Sequence, residues 1–499
     1  MSTLKHTTSP PPEDSSEDEK KCDPVKEGLK YFEKNCNAFH DTRNIVYISI
    51  SDKPGSQTFP LKAEAFEHYL RQRFYTDHDR LLSEKDFQII ESILVARAMA
   101  NTKTEEICCR VGESGGNVYL DLANKDRQVI EVTKDGFRIV KNAPLHFLRP
   151  SGMEALPIPT KTKYSLQKLL RSLFRSLQER DLLIIAAFLL GCLRPRGPFP
   201  ILQFIGAQGS AKSTNSRMIK RCIDPSFADS RSLPKDERDF AIAAQNNWLL
   251  CFDNVSSIPK WMSDSFCRLS TGGAVSIRKL YSNSEECLFS AKRPAILGGI
   301  VDPIERGDLK DRTLVIFLSA ISPEQRQTEE KLWADFDGYH SAILGALLNC
   351  VSTGLRNLEK VETKELPRMA DWYRFLKAAE PAMGFRDGLL AEVLKEGRAL
   401  AAEAVLESSP VADILLDFMS TTESLEGSAT ELWIILRNHV REQLYFDQRR
   451  WPASPRQLSN ELRRLEPDLQ QHGVRITFSR SGERRIISIT QMEVKECEK

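Results

Sequence analysis

Residues 206–214 constrain the fold of this chain more than any other stretch. They read Gly-Ala-Gln-Gly-Ser-Ala-Lys-Ser-Thr, follow the short apolar run 201–205 and precede a segment with helical spacing. A strand, a glycine-containing loop and a helix in this order are the context in which backbone N–H groups cradle phosphates. The sequence therefore predicts a phosphate-binding loop on an α/β core.

The motif G-x-x-x-x-G-K-[ST] assigns duties within this loop. Gly206 and Gly209 supply conformational freedom, Lys212 reaches the β- and γ-phosphates of ATP, and Ser213 holds Mg²⁺. Ala211 stands where the motif has its second glycine, which weakens the motif without abolishing it. An isolated match is more often a turn with a solvated lysine, but the flanking strand and helix favour ATP and Mg²⁺ as cofactors. The predicted nucleotide-binding residues are Gly206, Ala207, Gln208, Gly209, Ser210, Ala211, Lys212, Ser213 and Thr214.

A carboxylate follows the next apolar run. Residues 248–252 predict a buried strand that ends at Asp253, and such a strand end presents an acid to the Mg²⁺ shell. The alternative is an aspartate that caps the following loop. Asn254 comes next, where many ATPases of this type have the glutamate that activates water, and an amide orients water but cannot act as a general base. Either another carboxylate serves, with Asp239 and Asp264 the nearest in sequence, or turnover is slow.

Length and apolar spacing predict several domains, because 499 residues exceed a single core. Apolar runs separated by crossover-sized segments indicate a parallel sheet covered by helices. The predicted fold is an α/β P-loop NTPase core, preceded by an α+β domain and followed by helical and winged-helix modules. The predicted segments are a disordered acidic tail (1–27), an α+β N-terminal domain (28–159), a helical linker (160–198), the P-loop ATPase core (199–320), a helical lid (321–408) and a winged-helix-like basic module (409–499).

Cysteine usage and hydropathy predict the compartment. The eleven cysteines are scattered without a C-x-x-C pair, which suits a reducing cytoplasm and argues against a disulfide framework or a structural zinc site. The most apolar stretch, 182–193, is well short of the roughly 20 residues that span a bilayer. We therefore expect a soluble cytoplasmic protein without a membrane partner.

The stretch from about residue 198 to 318 resembles the superfamily 3 helicase module of phage and plasmid primase-helicases, a branch of the AAA+ class. It looks closest to the ATP-binding proteins of bacterial integrated mobile elements. That family orders a P-loop, an acidic strand end, a β-hairpin, a sensor strand and an arginine. The same order appears here, with a hairpin at 275–289, a strand within 293–300 and Arg312. Gly298 and Gly299 stand where the family has its sensor asparagine.

The resemblance implies roles for cations outside the phosphate loop. The hairpin would project into a central pore and touch the nucleic acid backbone through Arg278 and Lys279, unless it is a solvated hairpin face. Arg312 would reach the γ-phosphate held by a neighbouring subunit, or else form a surface ion pair with Asp308 or Asp311. An arginine supplied in trans implies an oligomer, such as a hexameric ring.

Arginines are concentrated near the C-terminus. Residues 437–485 contain eleven arginines, no lysine and six acidic residues. Such a surface attracts phosphate backbones, so DNA is the predicted partner, although solvated surfaces and protein contacts have similar composition. The predicted DNA contacts lie on a recognition helix and on a wing, and are Arg456, Asn460, Arg463, Arg464, Arg480, Arg484 and Arg485.

Three functions fit these features. The leading hypothesis is an ATP-driven DNA motor or a replication-initiation ATPase. A slow nucleotide-dependent DNA-binding switch is the second, and Asn254 and Gly298 are compatible with it. The third is a metabolite kinase, against which the long helical and arginine-rich segments weigh. An ATPase assay with and without DNA separates the three.

Overall fold

The computed structural model describes residues 23–52, 55–273, 275–278, 286–289, 291–304, 306–322, 324, 326–362, 367–442, 451–481 and 484–492. The chain forms two compact units, which divide between Ile107 and Cys108. Among the described residues, no helix is long and apolar enough to cross a membrane.

The N-terminal unit combines helices with an antiparallel sheet in the order β1-β2-β3. Ile48 of the sheet packs with Phe66 and Ile90 of the helices in one apolar cluster. Its elements are α1 (Pro24–Asn35), β1 (Cys36–His40), β2 (Val46–Asp52), β3 (Gly55–Pro60), α2 (Glu64–His78) and α3 (Glu84–Ala100).

The predicted tail over 1–27 overlaps the first helix. Asp23 caps α1 by accepting a hydrogen bond from the backbone N–H of Val25 at 3.1 Å. Pro24 follows at the first helical position, where its missing N–H costs nothing. The helix therefore begins before residue 27, and residues 1–22 lie outside the described part of the chain.

Strand β4 (Ile107–Cys108) spans the division, and the other elements belong to the larger unit. In its first half these are β5 (Val111–Ser114), β6 (Asn117–Asp121), β7 (Val129–Thr133), β8 (Gly136–Val140), β9 (His146–Phe147), α4 (Leu166–Leu173), α5 (Glu179–Cys192), β10 (Ile201–Gly206), α6 (Lys212–Ile223), α7 (Glu237–Asn246), β11 (Leu250–Phe252), α8 (Lys260–Thr271), β12 (Val275–Arg278), β13 (Glu286–Phe289), β14 (Ala295–Gly299), α9 (Gly307–Lys310) and β15 (Thr313–Leu318).

The second half is largely helical and ends in a small sheet. Its elements are α10 (Glu329–Asn357), α11 (Ala370–Met383), α12 (Leu389–Ser408), α13 (Pro410–Ser420), β16 (Ser424–Gly427), α14 (Ala429–Glu442), α15 (Pro455–Gln471), β17 (Val474–Ser481) and β18 (Arg484–Gln491).

Residues 108–159 belong to the larger unit. Strands β5 to β8 form an antiparallel sheet in chain order, and Leu120 and Ile130 join the same core as Leu166 and Leu170 of α4. The predicted α+β domain over 28–159 is therefore divided in the structure, because the apolar side chains of its second half are buried with helices that come later in the chain.

A parallel four-stranded sheet in the order β11-β14-β10-β15 lies at the centre of the larger unit. Leu202 and Phe204 of β10 pack in the core that contains α5 and α6, whereas Ile201 packs with Phe252 and Phe266 in a second cluster. Successive side chains of a strand point to opposite faces, so helices cover both sides. The predicted parallel sheet is confirmed.

Helix α5 lies inside this core. Every residue from Leu182 to Cys192 is buried, which is what a helix that is apolar on all sides requires. Its predecessor α4 is amphipathic and buries Leu166, Leu169 and Leu170. The helical linker predicted over 160–198 therefore contributes two helices to the packing of the sheet.

Asp224 joins three parts of the larger unit. It follows α6 directly, and its carboxylate accepts hydrogen bonds from Nε of Arg110 at 3.0 Å and from Nζ of Lys220 at 3.2 Å. The backbone N–H groups of Trp248 and Leu249, just before β11, donate to the same carboxylate at 3.0 Å each. The helix after the phosphate loop is thereby tied to the start of β11.

All three charges of this network are buried, with Arg110 0%, Lys220 1% and Asp224 2% exposed. Burial alone would raise the pKa of Asp224, but Lys220 and Arg110 beside it lower that pKa from its ordinary 3.8 to about 2. The carboxylate is therefore ionised in the folded protein at neutral pH.

The C-terminal segment has its own apolar cluster. Leu415 of α13, Leu432 of α14 and Leu462 of α15 pack on Ile476 and Ile489 of the sheet. The strand order in this sheet is β16-β18-β17, and β17 and β18 form a hairpin. Helices followed by a hairpin are the pattern from which the winged-helix-like module was predicted.

Replacing Asp224 by asparagine should destabilise the protein while keeping the shape of the side chain. The change leaves Lys220 and Arg110 buried without a counter-charge, which costs about 3–5 kcal/mol of the free energy of unfolding. Urea unfolding followed by circular dichroism measures this loss. The difference from wild type should shrink as the pH falls from about 4 towards 2, because a lowered pKa gives stability above the unfolded value that is lost as the folded carboxylate becomes protonated.

Glu392→Gln is the matched control. Glu392 pairs with Arg386 at the surface, where both side chains are more than half exposed. Solvent screens such a pair, so this variant should unfold nearly like wild type. An equally small loss in both variants would contradict the importance assigned to the buried network.

Candidate nucleotide-binding site

The loop that follows β10 has the backbone that a phosphate-binding loop needs. Gly209 has φ +80°, and a Cβ at Gly206 would lie 2.4 Å from the carbonyl oxygen of Leu318. Ala211 has φ +61°, in the left-handed region that costs a residue with a Cβ roughly 1–2 kcal/mol. The position where the motif has glycine therefore does require a positive φ, and alanine occupies it under strain.

Helix α6 begins immediately after this loop with an open N-terminus. No side chain of its N-cap residue Ala211 accepts from the first turn, so the backbone N–H groups there are available to an anion. Nζ of Lys212 donates to the carbonyl oxygens of Gly206 and Ala207, at 2.8 Å each. Within the described part of the chain Lys212 has no carboxylate partner, so its charge is uncompensated at this helix end.

Asp253 lies at the same edge of the sheet, because β10 and β11 are parallel and both end there. Strand β14 lies between them, which puts the two strand ends about 10 Å apart. Oδ1 of Asp253 is 2.9 Å from the position that a Cβ on Gly298 would occupy. The carboxylate therefore lies close to Gly298, at the end of β14.

Gly298 and Gly299 leave this space free. A Cβ at Gly299 would lie 2.4 Å from the carbonyl oxygen of Val255, and one at Gly298 would crowd Asp253. The N–H of Val255 also donates to the carbonyl of Gly298 at 2.8 Å. The backbone approach explains why no sensor side chain is present at the end of β14.

Asn254 is exposed and has φ +56°, and its N–H donates to Oδ1 of Asp253 at 2.9 Å. Of the two alternative carboxylates, Asp264 forms an ion pair with Arg306, and Asp239 is exposed in the first turn of α7. No contact among the described residues ties either of them to Asp253. The residue that activates water therefore stays unassigned by the geometry.

A second cation, which no pattern in the sequence marks, lies beside the candidate phosphate loop. The chain returns to the loop after β15, where the N–H of Ile321 donates to the carbonyl of Gly209 at 3.4 Å. Nη2 of Arg326 lies 3.9 Å from the position of a Cβ on Gly209, and no carboxylate among the described residues pairs with it. No motif marks Arg326, since its position depends on the course of the chain after the sheet.

Arg312 lies at the opposite edge of the sheet. Its carbonyl accepts from the N–H of Ile201 at the start of β10, so the six-residue strand separates it by about 20 Å from the loop of the same chain. Nη1 donates to Oδ1 of Asp308 at 2.6 Å, and only 7% of Arg312 is exposed. Burial would raise the pKa of Asp308, but the hydrogen bonds from Arg312 and Cys267 lower it to about 2.

The ion pair predicted as the alternative for Arg312 is therefore present, with the arginine side chain buried and the Asp308 side chain 43% exposed. A contact with a nucleotide in a neighbouring subunit would require Arg312 to leave Asp308.

The predicted hairpin between α8 and β14 is present. Strands β12 and β13 pair antiparallel, with Arg278 opposite Glu286. Lys279 lies outside the described residues, and only the backbone of Arg278 is described. Their contact with nucleic acid stays a prediction.

Helix α15 separates an apolar face from a polar one. The buried face consists of Leu458, Leu462, Leu465 and Leu469. The exposed residues include all four predicted DNA contacts, Arg456, Asn460, Arg463 and Arg464. The guanidinium of Arg463 stacks 3.9 Å from the ring centroid of Phe478, and Nη2 of Arg464 lies 2.5 Å from Oε1 of Glu461. Arg456 and Asn460 are thus the more available of the four.

The β17–β18 hairpin brings its arginines together. Arg480 stands opposite Arg485, and Ser481 stands opposite Arg484, whose side chain is not described. Like charges directly opposite each other destabilise a strand pair, so this arrangement favours an anionic partner. The DNA contacts of the hairpin stay predictions.

Two segments of the chain match known protein families. Residues 166–391 match the family model of the actinomycete integrative conjugative element (AICE) replication protein. Residues 411–496 match the model of the AICE RepA C-terminal domain. Both segments resemble conjugative-element replication proteins. The predicted resemblance to proteins of mobile elements is confirmed at this level, and the first match contains the parallel sheet and the second the arginine-rich module.

Solved structures show looser likenesses. The A-form apo structure of the NrS-1 C-terminal region is 12% identical, with 94% of this chain and 100% of that chain covered and a TM-score of 0.39. A JCV helicase with a bound thiazolopyridine compound is 11% identical, with 46% and 65% covered and a TM-score of 0.24. No curated protein sequence matches the chain.

Gly298→Ala should lower Mg²⁺-dependent ATP hydrolysis without a comparable loss of ATP affinity. The added Cβ displaces the Asp253 carboxylate, whereas the loop at residues 206–214 is untouched. We expect a decrease of about tenfold in the rate, which corresponds to about 1.4 kcal/mol. Gly338→Ala is the control, because a Cβ there meets no atom within 4 Å. Equal hydrolysis rates in the two variants would show that Asp253 does not depend on this space.

Proposed function

We propose that the chain is an ATPase that acts on DNA in the replication of a conjugative element, as a helicase-like motor or a replication-initiation ATPase. The uncompensated Lys212 at the open N-terminus of α6 carries this proposal, because together they form a site for a polyphosphate. The family matches support the replication context, and the arginine-rich surface supports DNA as the partner.

Different groups of the chain would make different contacts with the nucleotide. Residues 206–211 would present backbone N–H groups to the phosphates, and Lys212 would exchange its contacts with loop carbonyls for phosphate oxygens. Arg326, close to Gly209, would add a second positive charge. Because neither cation has a carboxylate partner among the described residues, binding an anion breaks no ion pair.

Ser213 and Asp253 would hold Mg²⁺. The donor set suits this cation, since a hydroxyl and a carboxylate are hard oxygen ligands that leave room for water and phosphate oxygens. When bound, Mg²⁺ supplies neutralisation of the charge that develops on the phosphates. The absence of a Cβ at Gly298 leaves space for the Asp253 carboxylate, which supports this role.

An arginine in trans would complete the site. Because Arg312 lies about 20 Å from the loop of its own chain, its role at a nucleotide requires a second subunit. Arg306 lies in the same segment and is more exposed, with 38% of its side chain accessible. An oligomer in which this edge of one subunit meets the phosphate loop of the next would use either arginine.

A slow nucleotide-dependent DNA-binding switch is the alternative function. Asn254 favours it, because an exposed amide next to Asp253 cannot serve as the general base. In this case ATP would order an oligomer on DNA, and hydrolysis would only reset it.

Lys212→Ala and Arg326→Ala should both weaken ATP binding. Lys212→Ala removes the main phosphate contact and should abolish measurable affinity, whereas Arg326→Ala should raise the Kd about tenfold, or about 1.4 kcal/mol. Titration with a fluorescent ATP analogue measures both. Arg326→Lys is the control that keeps the charge and should recover most of the affinity. Wild-type affinity in a folded Lys212→Ala variant would contradict the phosphate-loop assignment.

The hairpin and the C-terminal module should affect DNA differently. Contacts inside a pore couple to turnover, whereas contacts on a tethered module only raise the local DNA concentration. The Arg278→Ala/Lys279→Ala variant should therefore keep its DNA affinity and lose DNA stimulation of ATP hydrolysis. The Arg456→Ala/Arg485→Ala variant should bind duplex DNA more weakly, with the slope of log affinity against log salt reduced by about two.

The decisive measurement is the ATPase rate against DNA concentration for both variants and wild type at one salt concentration. Arg386→Ala is the control, because its guanidinium pairs with Glu392 and it lies outside the regions assigned to DNA. A wild-type rate that is slow and insensitive to DNA would favour the switch over the motor.

A further inference from the structure

An open groove of about 1040 Å³ lies in the larger unit, between the tips of the β5–β8 sheet and helix α10. We call it the meander groove. Its walls include Lys134, Phe137, Arg138, Lys161 and Asn349. None of the residues of the phosphate loop lines it, and the proposed ATPase function does not use it.

The groove is positively charged. Lys134 and Lys161 are exposed, and neither pairs with a carboxylate in the part of the chain that the structure describes. Arg138 pairs with Glu131 at 2.6 Å, yet 73% of its side chain remains exposed. Of the described residues that line the groove, only Asp135 is acidic. The groove therefore offers cations to a ligand that carries several negative charges.

The sheet presents bare backbone to this groove. Gly115, Gly116 and Gly136 all have positive φ, and a Cβ on any of them would meet nothing within 4 Å. Tight hairpin turns account for the choice of glycine, and the three glycines leave the backbone uncovered at their own positions. Nε of Arg356 in α10 donates to the carbonyl of Lys134 at 2.8 Å, which holds one tip against the helix. The backbone at these glycines is therefore open to a phosphate chain, and one tip of the sheet is held against α10.

Phe137 and Asn349 add contacts of another kind. Phe137 is half-buried on the sheet side, and Asn349 is exposed on the helix side. An aromatic ring in a basic groove binds unpaired bases by stacking, and an amide donates to and accepts from their edges. A duplex keeps its bases stacked inside and cannot use Phe137 in this way.

We propose that the meander groove binds single-stranded DNA, with Lys134 and Lys161 on the phosphates and Phe137 under a base. This assignment adds a site to the proposed function and does not depend on ATP hydrolysis. It differs from the arginine-rich module, whose exposed helix and hairpin suit a duplex.

The test uses the full-length protein with the double substitution Lys134→Ala/Lys161→Ala. The probe is a fluorescent 20-nucleotide oligothymidine, and a duplex of the same length is measured beside it by anisotropy at several salt concentrations. The loss of two phosphate contacts should reduce the slope of log affinity against log salt for the single strand by about 1.4. Binding of the single strand then becomes about 25-fold weaker at 0.1 M salt. Affinity for the duplex should not change.

Lys125→Ala/Lys141→Ala is the matched control. Both lysines are exposed, Lys125 between β6 and β7 and Lys141 directly after β8, so they lie at the end of the sheet opposite to the tips that form the groove. The control should bind the oligonucleotide like wild type. A halogenated uracil in the oligonucleotide should also form a photochemical cross-link to the peptide that contains Phe137.

Equal single-strand affinities of wild type and the double variant would overturn the proposal, as would an equal loss of duplex affinity or of affinity in the lysine control. A wild-type protein that binds ATP but neither form of DNA would instead contradict the DNA part of the proposed function. The two failures are therefore distinguishable.

Discussion

The buried charge network around Asp224 is the interaction on which the rest of the site depends. Pairing in a parallel sheet fixes the direction of the strands. It does not by itself hold the helix that follows one strand against the beginning of another strand. Asp224 does so, because one carboxylate accepts from Lys220 of α6, from Arg110 of the preceding sheet and from the two N–H groups that lead into β11. The helix that follows the candidate phosphate loop and the strand that ends at Asp253 are therefore joined through one carboxylate.

The two edges of the parallel sheet carry different chemistry. The carboxyl edge brings together the phosphate loop, Asp253 and the bare end of β14, where glycine leaves space for the carboxylate. The amino edge carries the buried Arg312, which forms an ion pair with the partly exposed Asp308. This separation follows from parallel pairing, which places all carboxyl ends of the strands at one edge and all amino ends at the other. If Arg312 takes part in the nucleotide site, a single chain therefore cannot form the complete site.

The sequence predicted those parts of the site that depend on local order. Ile201 to Gly206 forms the expected strand, α6 begins at Lys212 as the motif requires, and Ala211 takes up the positive φ for which glycine is normal. It did not predict Arg326, which no motif marks and which reaches Gly209 only because the chain turns back after β15. It also extended the N-terminal domain to residue 159, since spacing within 108–159 does not show which helices cover those strands.

What the sequence determined by itself is therefore the set of elements whose signal lies within a few neighbouring residues: the strand, loop and helix of the motif, the acid at the end of the next apolar run, and the amphipathic α15 with its arginine face. Only the tertiary structure decided which side chains meet across distant parts of the chain. It buried Arg312 against Asp308, removed the room for a sensor side chain at Gly298 and brought Lys134 and Lys161 to one groove. The physical reason is that burial and close approach depend on how distant elements pack against each other. The local order of residues and its periodicity do not reveal this packing.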